Sequence, residues 1–206
     1  METVNDTSIL NIIETSLKTS YTYENYRKLV QELVAANSTT GADKSADMAN
    51  YTLLNDKRMK RWDKTIKVTD DAVLRVAKFK KPVTWIVITE SWCGDAAHVV
   101  PAIAKLAEKS DKITLKVVLR DTNDMLMNQF LTNGGKSIPK LIMMDTETGA
   151  ILDTFGPRPA GATKLVADFK AKHGKITPEI KEDLQAWYNK DKGQSTIADL
   201  LNMLGV

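Results

Sequence analysis

The hydrophobic pattern of this sequence changes its period near residue 62, and that change limits the possible folds more than any other feature. Before it, apolar side chains recur at helical spacing. After it, short apolar runs typical of buried strands alternate with amphipathic segments. The clearest strands are residues 83–89 and 113–119, and each is followed by a helical segment. This alternation predicts an α/β protein with a mixed sheet flanked by helices.

The predicted elements of this central region follow the order βαβαβαββα. We place strands at residues 65–68, 83–89, 113–119, 140–144 and 150–155. We place helices at residues 70–79, 95–109, 124–131 and 162–172, with Asp70 as the cap of the first. Because only a short turn separates the last two strands, they predict a hairpin.

Helical extensions are predicted on both sides of the α/β region. Three segments with helical spacing precede it, and Thr177-Pro178 signals the start of another helix after it. Ser195 is the expected cap of a last helix. Such amphipathic helices are expected to pack on the domain, cover a sheet edge or build a dimer interface. The predicted division of the chain is a helical extension over 1–61, the α/β domain over 62–172, and a second helical extension over 173–206.

Composition excludes several classes of site. The 206 residues include one cysteine, so an internal disulfide or a zinc site of several thiolates is impossible. With 2 histidines the sequence has few ligands for a histidine-rich metal site. We predict no metal and no cofactor. A net charge of +3 is too small to favour a nucleic-acid partner. No stretch approaches the roughly 18 apolar residues of a membrane helix, and no basic leader with an apolar run is visible, so we expect a cytoplasmic protein without a membrane partner.

The single thiol, Cys93, lies between the predicted strand 83–89 and the predicted helix 95–109. Unpaired N–H groups and the positive dipole end at a helix start stabilise a thiolate relative to a thiol. This position favours a functional nucleophile. The alternative is that Cys93 is one more small buried apolar residue, which is the commonest role of a free cysteine.

Two motifs and the element order together resemble thioredoxin. The motifs are Trp92-Cys93-Gly94, with Pro101 eight residues after the cysteine, and Ser137-Ile138-Pro139 at the start of a strand. The resemblance covers about residues 62–172. The run Trp-Cys-Gly-Asp-Ala-Ala-His and the helical extension are similar to a group of bacterial thioredoxin-family proteins, here with a single cysteine.

The resemblance implies a thioredoxin-like fold and a substrate groove beside Cys93. It implies that the Ile138–Pro139 peptide bond is cis and lies next to the thiol, where its backbone pairs with an extended substrate. It also implies that Trp92 shields the thiol and that Gly94 lets a substrate approach.

Two positions depart from the dithiol pattern of the family. Ala96 stands where thioredoxins carry the second cysteine, and Val87 stands where they bury an acid. A mixed disulfide at Cys93 therefore cannot be resolved by a second cysteine of this sequence. One thiol still supports exchange, because a Cys93 thiolate can attack an external disulfide and an external thiol can complete the reaction. The expected partner is a protein disulfide or a low-molecular-weight thiol adduct.

Several charged residues near the motif have more than one interpretation. Asp95 either tunes the thiol, since a carboxylate disfavours the thiolate, or is a first-turn acid that complements the helix dipole, which we favour. His98 is expected at the surface or loosely packed. Arg158 either reaches a ligand near Cys93 or belongs to a rigid surface loop. A solvated helix face is predicted for the basic run Lys57, Arg58, Lys60, Arg61 and Lys64.

The leading functional hypothesis is monothiol thiol–disulfide exchange through Cys93. The alternative is a non-catalytic binding module that keeps the groove and engages a partner through the helical extensions. Peroxide reduction is disfavoured because Glu90 stands where peroxiredoxins usually carry threonine. Cluster binding is disfavoured because Cys-Gly-Asp-Ala departs from the Cys-Gly-Phe-Ser of iron–sulfur glutaredoxins.

Overall fold

The computed structural model describes residues 7–175 and 177–206, so the first six residues of the predicted amino-terminal extension lie outside the described residues. Within these ranges the helices are α1 (Thr7–Leu17), α2 (Tyr23–Ala35), α3 (Ala46–Thr65), α4 (Asp70–Val76), α5 (Ala96–Ala107), α6 (Asp124–Gln129), α7 (Ala160–His173), α8 (Pro178–Asp191) and α9 (Gln194–Met203). The strands are β1 (Val83–Thr89), β2 (Ile113–Leu119), β3 (Lys140–Asp145) and β4 (Ile151–Phe155).

The four strands form one mixed sheet in the order β2-β1-β3-β4. β1 is parallel to β2 and antiparallel to β3, and β3 and β4 form the predicted hairpin. All seven residues of β1 are buried, as expected for a central strand made of a continuous apolar run. The predicted fold class, a thioredoxin-like mixed sheet flanked by helices, is confirmed.

The predicted strand at residues 65–68 is wrong. α3 continues to Thr65, where the Ile66 N–H still donates to the Trp62 carbonyl at 3.0 Å. The open edge of β2 is instead paired with Tyr21, which exchanges two backbone hydrogen bonds of 2.8 and 2.9 Å with Val117. A residue of the amino-terminal extension thus covers the sheet edge on which an additional strand would pair.

Two predicted helix caps are also wrong. Thr69, not Asp70, caps α4, because its hydroxyl accepts the Ala72 N–H at 3.2 Å. α9 begins one residue before Ser195, whose side chain binds Asp191 instead. The preceding Gly193 has a φ of +80°, and a Cβ there would lie 3.1 Å from the Cβ of a residue in α5. A tight glycine turn therefore replaces the expected side-chain cap.

Helices of both extensions pack on the α/β region. α3 lies between α2 and α5, and α9 packs against α4 and α5. Leu200 and Leu201 of α9 join the same core as Trp85 of β1 and Ile103 of α5. None of the described helices is both long enough and apolar enough to span a membrane.

Candidate active site around Cys93

Cys93 lies in the six-residue loop between β1 and α5, as the sequence predicts. Its side chain is buried, with 9% of its surface exposed, and its thiol donates to the Ile138 carbonyl oxygen at 3.3 Å. The Ile138–Pro139 peptide bond is cis and directly precedes β3. The central sheet therefore brings together two motifs that are 45 residues apart in sequence.

Burial raises the pKa of the Cys93 thiol to about 12, and the carboxylate of Asp95 adds to the increase. The backbone N–H groups of Ala96 and Asp95 and the charge of Arg158 lower the pKa, but these effects are smaller. The helix amino terminus thus acts in the expected direction and is outweighed by desolvation. Cys93 is a protonated thiol at neutral pH in this structure.

Asp95 is held by two side chains from distant parts of the chain. The Arg158 guanidinium contacts both carboxylate oxygens, with Nη2 2.6 Å from Oδ2 and Nε 3.0 Å from Oδ1. The Tyr188 hydroxyl of α8 donates to Oδ1 at 2.9 Å. Burial, followed by the neighbouring Asp95 charge, raises the pKa of Tyr188. Arg158 is therefore a partner of Asp95 beside Cys93, and the site includes a tyrosine that sequence reasoning missed.

His98 is buried, with 5% of its surface exposed, so the prediction of a surface or loosely packed histidine is wrong. Trp62 Nε1 donates to its Nδ1 at 2.8 Å, which places the ring proton on Nε2, 3.1 Å from the Gln185 Oε1 acceptor. The ring stacks on Tyr188 with centroids 4.3 Å apart. Burial lowers the pKa of His98 to about 3, so the ring is neutral. α3 and α8 cover this face of α5.

A cavity of about 450 Å³ opens beside the thiol. Trp92, Cys93, Gly94 and Asp95 form one wall, so four of the six residues predicted for the site line it. Ile138 contacts the thiol through its carbonyl group, and neither it nor Pro139 belongs to the cavity lining. Other parts of the lining come from the helical extensions. Their apolar side chains are Met48, Tyr51 and Leu54 of α3 and Ile180 and Leu184 of α8, and their polar or charged side chains include Arg58 of α3 and Lys181 and Gln185 of α8.

The segment before Cys93 is fixed by a buried polar cluster. The Ser91 hydroxyl lies 2.9 to 3.1 Å from the hydroxyls of Thr39, Thr40 and Thr52. Asn55 of α3 donates to the Ser91 carbonyl at 2.9 Å. The three threonines and Asn55 lie in the amino-terminal extension and belong to no recognisable motif. The sequence therefore offered no indication that they contact Ser91.

Trp92 lies close to Arg120 and to Gly41. The Arg120 guanidinium carbon lies 4.7 Å from the centre of its ring, a cation–π contact. Near its Nε1, Gly41 has a φ of +83°, and a Cβ there would lie 3.2 Å from that nitrogen and 2.5 Å from Asp121 Oδ2. Only glycine fits this approach.

The basic side chains of α3 differ in their exposure. Lys57, Lys60, Arg61 and Lys64 are exposed, as predicted. Arg58 is half-buried and lines the cavity, so the prediction of a solvated side chain is wrong for this residue. In residues 7–175 and 177–206, no group of three or more histidine, cysteine or acidic side chains is arranged to hold a metal ion.

Comparisons with known proteins agree with this fold. A family model described as thioredoxin matches residues 41–170. A protein of unknown function from Pseudomonas aeruginosa, solved at 1.5 Å, aligns with a TM-score of 0.57 and 17% identity over 76% of this chain and 90% of its own. An HIV epitope-scaffold aligns with a TM-score of 0.58 and 17% identity over 85% and 96%. At this identity the two structures share the fold alone. No curated protein matches the sequence.

Proposed function

The chain belongs to the thioredoxin family, and from this premise we propose that it performs thiol–disulfide exchange by a monothiol route through Cys93. The proposal depends most on the position of the thiol, 3.3 Å from the Ile138 carbonyl and in the wall of an open cavity. Within the family we assign the chain to a single-cysteine Trp-Cys-Gly-Asp group with a helical extension.

The proposed reaction has two exchange steps. The Cys93 thiol loses its proton to solvent, and the thiolate attacks one sulfur of an external disulfide R–S–S–R′. A Cys93–S–S–R bond forms, the substrate bond breaks, and R′–S⁻ leaves with the electron pair. An external thiolate then attacks the sulfur of R and releases the Cys93 thiolate. The substrate half R′ is reduced, and the external thiol is oxidised to its disulfide with R.

The raised pKa of Cys93 sets the rate of the first step. Because only the thiolate attacks, the free protein reacts slowly at neutral pH and faster as the pH rises.

Substrates and partners are proposed to be protein disulfides or low-molecular-weight thiol adducts. The cytoplasmic location and the division at residues 61 and 172 stay predictions.

The proposal is tested by intact-mass spectrometry at pH 9 with excess bis(hydroxyethyl) disulfide. We expect the wild-type protein to gain the mass of one thiol half and to lose it again when an external thiol is added. Because Ala96 replaces the resolving cysteine, the mixed disulfide accumulates. Cys93→Ser is the matched control and gains no mass. A folded wild-type protein that forms no adduct contradicts the proposal.

A second candidate function is a non-catalytic binding module. It is favoured by the protonated state of the buried thiol together with the apolar side chains at Ala96 and Val87. This candidate predicts that Cys93→Ser retains every partner of the wild-type protein. Partner capture that requires Cys93 and is reversed by reductant favours exchange instead.

A further inference from the structure

Arg58 is a cation in the cavity wall that has no acidic partner among the described residues. None of the ion pairs among the described residues includes it. Its Nη1 donates to the Asn55 side-chain oxygen at 3.0 Å. A guanidinium has five N–H donors and stays protonated, so most of its hydrogen-bonding capacity is available to a ligand.

The position of Arg58 is fixed relative to Cys93. Asn55, which is 1% exposed, binds Arg58 through its oxygen and the Ser91 carbonyl through its nitrogen. A Cβ added to Gly94 would lie 3.8 Å from Arg58 Nη1, so the guanidinium is close to the residue that follows Cys93. The cation is thus hydrogen-bonded to a buried residue and lies beside the loop that carries the thiol.

The other charged groups of the cavity leave this positive charge uncompensated. Arg158 is already paired with Asp95, the one carboxylate that residues 7–175 and 177–206 contribute to the lining. His98 is neutral, because burial lowers its pKa to about 3. Lys181 adds a further cation at the exposed rim. Three cations against one carboxylate make the cavity complementary to an anion.

The rest of the lining is complementary to an apolar body. Tyr51 and Leu54 of α3 are large side chains with 45% and 43% of their surface exposed. They face the same cavity as Ile180 and Leu184 of α8. A volume of about 450 Å³ lies in the range of about 300 to 1,000 Å³ that is typical of sites for small organic molecules.

We propose that the cavity binds a small organic carboxylate with an apolar ring or chain. The carboxylate binds the Arg58 guanidinium, and the apolar part lies between α3 and α8. That the substrates for exchange are disulfides carrying such a carboxylate rests on the proposed function. The binding itself does not, since it requires neither the thiol nor a disulfide.

Binding is tested with the Cys93→Ser protein, which removes exchange chemistry. Calorimetry compares naphthylacetate with naphthylacetamide, which have the same ring but differ in charge. We expect the anion to bind about tenfold more tightly, as one charge-assisted hydrogen-bonded pair allows. Arg58→Gln is expected to remove that preference, whereas Lys57→Gln, which removes an exposed cation of the same helix, keeps it. Equal affinities for anion and amide overturn the inference, as does failure of both to bind.

A second experiment separates the inference from the proposed function. The wild-type protein reacts with dithiobis(nitrobenzoate), an anionic aryl disulfide, and with dithiodipyridine, an uncharged one. We expect Arg58→Gln to slow the first reaction about tenfold more than the second, and the second reaction records any change in the reactivity of the thiol itself. If neither disulfide modifies Cys93 while Cys93→Ser still prefers the naphthyl anion, exchange is wrong and the anion site stands. If both disulfides react but the anion preference is missing, exchange stands and the inference fails.

Discussion

Arg27 of α2 and Arg58 of α3 differ in their partners: the described residues supply carboxylates that balance the charge of Arg27 and none that balances the charge of half-buried Arg58. Arg27 is 7% exposed, and its guanidinium pairs with Asp56 at 2.9 Å and with Asp63 at 3.0 Å. Tyr23 completes this cluster by donating to Asp63 at 2.5 Å. Arg58 has no carboxylate partner among the described residues and lines the cavity beside Cys93.

The difference follows from the two faces of one helix. Residues 56, 59 and 63 recur at helical spacing and meet α2, whereas residues 51, 54 and 58 recur on the face that lines the cavity. A buried charge that is neutralised locally holds elements together. A half-buried charge that no described residue neutralises is available to a ligand, and the proposed anion site therefore lies on the cavity face of α3.

The largest effect is expected in the pH dependence of Cys93 alkylation. This measurement tests whether the thiol in the cavity wall is protonated at neutral pH. Because burial raises the thiol pKa to about 12, the thiolate fraction grows about tenfold per pH unit below that value. The iodoacetamide rate is expected to rise about a hundredfold between pH 7 and pH 9. The urea-unfolded protein is the control and should level off near its ordinary pKa of about 8.5. A folded-state plateau below pH 8.5 contradicts the structural account of the thiol.

The next effect concerns the stability role of Arg27. Arg27→Met removes the cation that pairs with Asp56 and Asp63. The free energy of unfolding is expected to fall by about 2 to 3 kcal/mol, less than for a fully buried pair, because the Asp63 side chain is partly exposed to water. Arg58→Gln is the matched variant and is expected to change it by less than about 0.5 kcal/mol. Urea denaturation followed by circular dichroism measures both.

The comparison of the two arginines is wrong if Arg58→Gln destabilises the protein as much as Arg27→Met does. Combining Arg27→Met with Asp56→Asn and Asp63→Asn gives a further check. If the cost comes from unpaired carboxylates, this triple variant regains part of the lost stability.

The smallest effect is expected from Asp95→Asn, which removes the carboxylate that faces the thiol. Asp95 raises the Cys93 pKa, so its neutralisation lowers that pKa and increases the thiolate fraction at a fixed pH. We expect iodoacetamide to react about tenfold faster at pH 8, as a shift of one pKa unit gives. Asp168→Asn, which removes an exposed acid paired with Lys164, should leave the rate unchanged. An unchanged or lower rate in Asp95→Asn contradicts the assigned role of Asp95.

Much of the fold was predictable because its signals are local. The predicted bounds of 83–89 and 113–119 agree with β1 and β2, since both strands consist mainly of apolar and β-branched residues. The predicted strand at 65–68 is wrong because α3 continues to Thr65, and the residue that pairs with the edge of β2 is Tyr21. Pairing between Tyr21 and Val117 joins segments that are far apart in sequence, so no local pattern indicates it.

The candidate site was predictable only in part, for the same reason. The position of Cys93 after β1 and the two motifs follow from adjacent residues. The partners that set the chemistry of the site are remote: Arg158 is 63 residues from Asp95, Tyr188 is 93 residues from it, and Trp62 is 36 residues from His98. A sequence pattern read over one or two turns cannot detect such pairs.

The sequence by itself determined a mixed α/β sheet, a single thiol at the β1–α5 junction and the need for any resolving thiol to come from another molecule. These depend on periodicity, chain order and the count of one cysteine. Only the tertiary structure decided that the thiol is protonated, that His98 is neutral and that Arg58 lines the cavity with no acidic partner among the described residues. Protonation and charge depend on burial and on contacts between distant segments, and these exist only once the helical extensions pack around Cys93.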